Sequence, residues 1–141
     1  MEKFSKDTSR MNEEIFKITQ NKIRAKSLVD MAKERLGDIN KEAKTYKIIE
    51  EYYEIIKELI TALMYSQGFK TLSHKALVEY LDKNFKEFDK SEIILIDSLR
   101  KLRNNIVYYG QKVEREFLIN HEKRMIEIIK KLFGVANSLQ D

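Results

Sequence analysis

The chain has 141 residues, 43% hydrophobic and 35% charged, with 4 Gly and no Pro, Cys or Trp. That length and balance indicate a single folded domain over 1–141 with a modest core, and exclude a disordered chain. The lack of Cys excludes disulfides, thiolate catalysis and Cys-ligated zinc, while the net charge of +4 permits nucleic-acid binding without requiring it.

A Pro-free chain has little to interrupt long helices, and every predicted element is helical. The residues before Arg10, 1–9, are polar and read as a frayed end. The first predicted helix covers residues 10–36, with Ile15, Ile18, Ala25, Leu28, Ala32 and Leu36 on its inner face. The second covers 41–66 and carries two apolar stripes. One is Tyr46, Ile49, Tyr53, Ile56, Ile60 and Leu63; the other is Ile48, Tyr52, Ile55, Leu59 and Ala62. Such a helix belongs at the centre of a bundle, or is shared between a core and a subunit interface. The third is short, 73–85, with Ser73 as N-cap and Leu77, Tyr80 and Leu81 inward. The fourth starts near Ser91, whose hydroxyl can cap it, and stops at Gly110. The fifth covers 113–132 and buries Phe117, His121 or Met125, Ile128 and Leu132. Short turns make consecutive helices antiparallel. The expected fold is therefore all-α: an antiparallel up-and-down bundle of four main helices plus one short helix, without strands.

The fourth helix carries the most informative stretch, residues 99–110. Leu95, Leu99, Leu102, Ile106 and Tyr109 recur at three- and four-residue steps and form a core stripe. Arg100, Asn104 and Tyr108 share another face through i,i+4 steps, with Arg103 beside them. Two guanidinium groups, a carboxamide and a phenol projecting together suit a phosphodiester. The alternative is a solvated charged face on which Arg103 pairs with a neighbouring carboxylate.

Arg103-Asn104, a few residues and Tyr108 near a helix end resemble the motif of the HEPN family (higher eukaryotes and prokaryotes nucleotide-binding domains). That family carries His where this chain has Tyr108. The segment 68–81 resembles the loop and helix that many HEPN domains place before the Arg-Asn helix, and the likeness extends over about residues 46–132. The resemblance implies an RNA-directed protein: a toxin-type ribonuclease component or a weakly active relative, with a nucleotidyltransferase-type partner. Without a signal-peptide core or membrane span, the expected location is cytoplasmic. It further implies a homodimer with Arg103 of each subunit near the two-fold axis. Arg103 and Arg100 would hold the phosphate, Asn104 would orient it, and Tyr108 would replace the His. A Tyr titrates near pH ~10 and is a poor general base. Cleavage, if any, would be that of a metal-independent endoribonuclease without a cofactor. The alternative is a non-catalytic nucleotide-binding or protein-interaction domain, or a plain helical oligomerisation module. Some toxins of the family carry a modified Tyr two residues after the His; that position here is Gly110.

His74 and His121 are the only histidines, and without Cys or a clear carboxylate partner they make no metal-ligand pattern. His74 follows the Ser73 cap, where the helix dipole disfavours an imidazolium, and reads as structural. His121 reads as a core or interface residue. Either could stand in for the missing base if the fold brings it to Arg103. Tyr46, Tyr52, Tyr53 and Tyr65 read as core and interface. No apolar run approaches a membrane span and the first residues lack a signal-peptide core, so no membrane partner is expected.

Overall fold

The computed structural model describes residues 14–140, of which 76% are helical. The frayed end expected for 1–9 lies outside the described residues, as does the start of the first predicted helix. The two apolar stripes of the central segment fold as one helix that is buried almost all round from Ile48 onward. We call this helix α2 (Thr45–Gln67); it touches every other helix of the fold. The others are α1 (Lys22–Gly37), α3 (His74–Asn84), α4 (Lys90–Tyr109) and α5 (Arg115–Gln140). Four long helices and one short one make the expected all-α bundle.

Specific contacts fix the helix directions. Arg24 near the start of α1 lies over the Tyr65 ring near the end of α2, while Arg35 at the far end of α1 reaches Glu51 and Glu58. Those two helices are antiparallel. Along α5, Glu122 meets Tyr52 and Gln140 meets Ser66, so α5 runs parallel to α2. The start of α4 is tied to α5 by Lys131 bonding Glu92, and its later residues Arg100 and Arg103 act on Tyr53, so α4 descends against α2. The four long helices thus alternate in direction.

Apart from Tyr46, both apolar stripes of α2 are covered within one chain, by α1, α3, α4 and α5. This helix therefore leaves no large apolar face for a second copy. Tyr52 and Tyr53 are buried as expected; Tyr65 is half-buried under Arg24, and Tyr46 is exposed at the helix start.

Several boundaries differ from the expected ones. The first helix does not begin at Arg10 or hold Ile15 and Ile18. Ile15–Lys17 forms a strand, β1, antiparallel to β2 (Phe69–Thr71), and Asn21 caps α1 instead. The Gly68 carbonyl holds the Ile18 amide at 2.9 Å. Gly68 itself has φ +87 and caps α2; a Cβ there would sit 2.9 Å from the Ile18 carbonyl oxygen. Both the left-handed backbone and the close approach call for glycine. The N-cap of α4 is Asp89, not Ser91: its side chain accepts from the Glu92 amide while Glu92 reaches back to the Asp89 amide. Finally, α5 runs through Gly134 to Gln140, because Val135, Ala136 and Leu139 continue its apolar face.

Candidate functional site

The register of α4 is set at both ends. The Asp89 capping box opens it, and Gly110, at φ +64, closes it with its amide bonded to late carbonyls of the helix. Between them Leu95, Ile96, Leu99 and Ile106 are buried against the bundle, and Leu102 is half-buried. Arg100, Arg103 and Asn104 flank that stripe and are partly buried. Tyr109 does not belong to the core stripe. The last turn of α4 extends past its neighbours, leaving Tyr108 69% and Tyr109 82% exposed. The Tyr108 side chain makes no hydrogen bond or ring contact with another described residue.

Two further helices bring charge to Arg100 and Arg103. Tyr53, Glu54 and Lys57 come from α2, and His74 comes from the first position of α3. Ser73 caps α3 by accepting from the Ala76 amide at 3.1 Å, as the sequence predicts, and this places His74 in the first turn. The Tyr53 hydroxyl lies 3.2 Å from His74 Nδ1, and the two rings are tilted 38° with centroids 5.9 Å apart. His74 Nε2 bonds no other described residue and is not sealed from solvent.

The pairing of these charges is unequal. Lys57 is held by Glu54 at 2.6 Å, and Arg100 Nε donates to Asp97 at 2.7 Å. Asp97 also takes Lys101 at 3.4 Å. Arg103 has no carboxylate partner among the described residues; its one hydrogen bond is a long 3.5 Å contact to the adjacent Asn104. The site thus holds one uncompensated, partly buried guanidinium.

That field shows in the titrating groups. Burial lowers the His74 pKa from its ordinary 6.5, and the Lys57 and Arg103 charges lower it further, against Glu54. His74 is therefore neutral at neutral pH. Burial pushes the Tyr53 phenol up to about 12, although Arg100 and Arg103 act to lower it. Burial, the largest single influence, would raise Asp97, but the hydrogen bonds and charges of Arg100 and Lys101 together outweigh it and hold it below the usual carboxylate value. A neutral imidazole, a protonated phenol and two guanidinium groups can together bind an oxyanion and accept a proton beside it.

Of the expected residues, Arg100 and Arg103 act electrostatically on Tyr53 and His74, Asn104 contacts Arg103, and Tyr108 stands one turn further on at the exposed helix end. The sequence reads Tyr53 as core and His74 as structural, with His74 a stand-in base only if the fold brings it to Arg103. Tyr53 is buried and bonds His74, and the charges of Arg100 and Arg103 reach both. The Ser73 cap fixes where His74 sits. His121 stacks on Phe117 with centroids 4.6 Å apart, on α5. Among the described residues no three His, Cys, Asp or Glu side chains gather as a metal site, and no helix is long and apolar enough to cross a membrane. No family model matches the chain, and no curated protein or solved structure matches it.

Proposed function

We propose that this is a HEPN-like, RNA-directed protein whose phosphodiester site lies on α4 around Arg103. The observation that carries this reading is the unpaired, partly buried Arg103 next to Arg100. A solvated charged face would pair its arginine with a carboxylate, as Arg100 does with Asp97. A guanidinium without one offers its donor fork to a phosphate. Asn104, within reach of Arg103, orients that fork. Tyr108, exposed one turn later, is placed to stack on an unpaired base.

In this reading the protein is a toxin-type ribonuclease component or a weakly active relative, and it works with a nucleotidyltransferase-type partner. It acts as a homodimer that brings two Arg103 side chains together. The arginines supply the positive charge that cleavage needs, so cleavage persists in EDTA.

The test is binding of a short single-stranded oligoribonucleotide at low salt. Arg103→Ala weakens binding about 10-fold or more, the worth of one charge-assisted contact. Lys130→Ala, an exposed lysine on α5, leaves it within about 2-fold. Binding falls with salt as counterions are released. Equal affinities for wild type and Arg103→Ala remove the reading. A second reading, a non-catalytic nucleotide-binding or interaction domain, is favoured by the exposed Tyr108 standing where a general base would be needed.

A further inference from the structure

We propose that His74, held by the Tyr53 hydroxyl at the start of α3, a helix packed on the arginine-bearing α4, is the proton acceptor of this site and acts on the 2′-hydroxyl of a bound ribonucleotide. This rests on the phosphodiester reading of Arg103.

The argument begins with what Tyr108 lacks. A phenol facing solvent at the end of α4 takes up a proton poorly near neutral pH. Among the described residues, the imidazole on which the arginine charges act is that of His74, on α3. His74 is far from Arg103 in sequence, yet Lys57, Arg103 and Arg100 all act on its charge. Its Nδ1 is engaged by Tyr53 at 3.2 Å, and its Nε2 bonds no other described residue. This role requires the tautomer with the proton on Nδ1, in which that N–H donates to the Tyr53 oxygen. The Nε2 lone pair is then free to take a proton. Tyr53 is buried and keeps its own proton, so it is a positioning residue and not a second acid.

The charged groups around His74 favour the same role. Lys57 of α2 and Arg100 and Arg103 of α4 oppose a resident positive charge, and Glu54 of α2 partly offsets them. A phosphodiester seated on Arg103 neutralises that field. The imidazole becomes more basic when substrate is bound, which is when it has a proton to accept. In the reaction the 2′-hydroxyl proton passes to Nε2 as the 2′-oxygen bonds to phosphorus. The bond from phosphorus to the 5′-oxygen breaks, and that oxygen leaves with the electron pair and takes a proton from water. The products are a 2′,3′-cyclic phosphate and a 5′-hydroxyl. His74 then returns its proton to solvent, so protons balance and no oxidant or reductant is needed.

The experiment uses the full chain, a labelled single-stranded oligoribonucleotide and its all-deoxy counterpart. His74→Gln should bind the RNA within about 2-fold of wild type and cleave it at least about 100-fold more slowly, the usual worth of a general base. Wild-type kcat/KM, which reports the unliganded protein, should fall on an acid limb with its midpoint below pH 6.5, and His74→Gln should lack that limb. Tyr53→Phe, which keeps the ring, should move the limb to lower pH by removing the oxygen that accepts from the imidazolium. The His74 ring signal in NMR, told from that of His121 by His121→Gln, should titrate at higher pH when RNA is added. Equal cleavage by wild type and His74→Gln overturns the proposal, as does cleavage of the deoxy strand. RNA binding without any cleavage by wild type also overturns it, and leaves the phosphate reading standing. Failure of wild type to bind RNA is the separate failure of that reading.

Discussion

Two arginines on this fold face opposite circumstances. Arg35, at the end of α1, meets two carboxylates of α2: its Nε lies 3.1 Å from both Glu58 oxygens and its Nη1 lies 3.2 Å from Glu51. Arg103, on α4, meets none among the described residues. Both are partly buried. The first is cemented between helices, since Glu58 is nearly inaccessible and would be left buried and alone without it. The second has donors to spare and an imidazole for a neighbour. A charge fully answered by its own chain contributes to architecture. A charge left unanswered in a partly buried place is free to be answered by a ligand.

The largest test of that contrast is Arg35→Ala. It strands the Glu58 carboxylate and should cost about 2 kcal/mol of unfolding free energy, at the low end for a buried pair because Arg35 is itself partly exposed. Pairing it with Glu58→Gln should recover much of the loss. Arg103→Ala, by contrast, should leave stability within about 0.5 kcal/mol, as for a side chain with no ion pair. Denaturant midpoints of the three variants measure this; equal losses for Arg35→Ala and Arg103→Ala would erase the distinction.

A second test uses acid. Lys41 bonds both Glu122, at 2.7 Å, and the Tyr52 hydroxyl, at 2.8 Å, joining the α1–α2 connection to α2 and α5. The Lys41 hydrogen bond holds Glu122 below its ordinary 4.5, so the unfolded chain takes up that proton more readily. The stability from Glu122 is present above pH 4.5 and is lost as pH falls through the lower folded value. Glu58 works against this. Burial raises its pKa despite Arg35, so protonating it favours the folded chain. Lys41 is raised by Glu122, and its contribution is complete below pH 10.5 and lost as pH climbs past the folded value. Glu122→Gln should therefore flatten the acid decline of the thermal midpoint and also its alkaline decline. An unchanged profile would remove this latch from the stability account.

The smallest effect is the most local. Asp97→Asn frees Arg100 from its carboxylate and removes one negative charge from the site. RNA affinity should rise about 2- to 3-fold at low salt, the worth of one partly exposed ion pair, and the gain should vanish at high salt. Weaker binding would show that Asp97 positions Arg100 and does not compete with the phosphate.

Much of this fold can be read in the chain before it folds. The double stripe of α2 and the Ser73 cap are local patterns, and local patterns decide helices. The start of α1 could not be read that way. Ile15 and Ile18 fit helical spacing, but their partners are Phe69–Thr71 and the Gly68 carbonyl, far along the chain. The Asp89 cap was legible, since Asp three residues before Glu is a capping box, and the nearer Ser91 obscured it. The Arg100–Arg103–Asn104 cluster is likewise a one-helix pattern. The reach of the Arg100 and Arg103 charges to Tyr53 and His74 needs three helices, and periodicity within any one of them carries no trace of it.

Because α2 is wrapped on nearly every side, its amides have no shallow route to solvent. Opening α1, α4 or α5 alone uncovers only a strip of it. Its slowest hydrogens should exchange only when the whole domain opens, and their rates would report global stability. The last turn of α4 should exchange orders of magnitude faster. Slowing there on addition of RNA, with α2 unchanged, would mark where the ligand rests without any label on it.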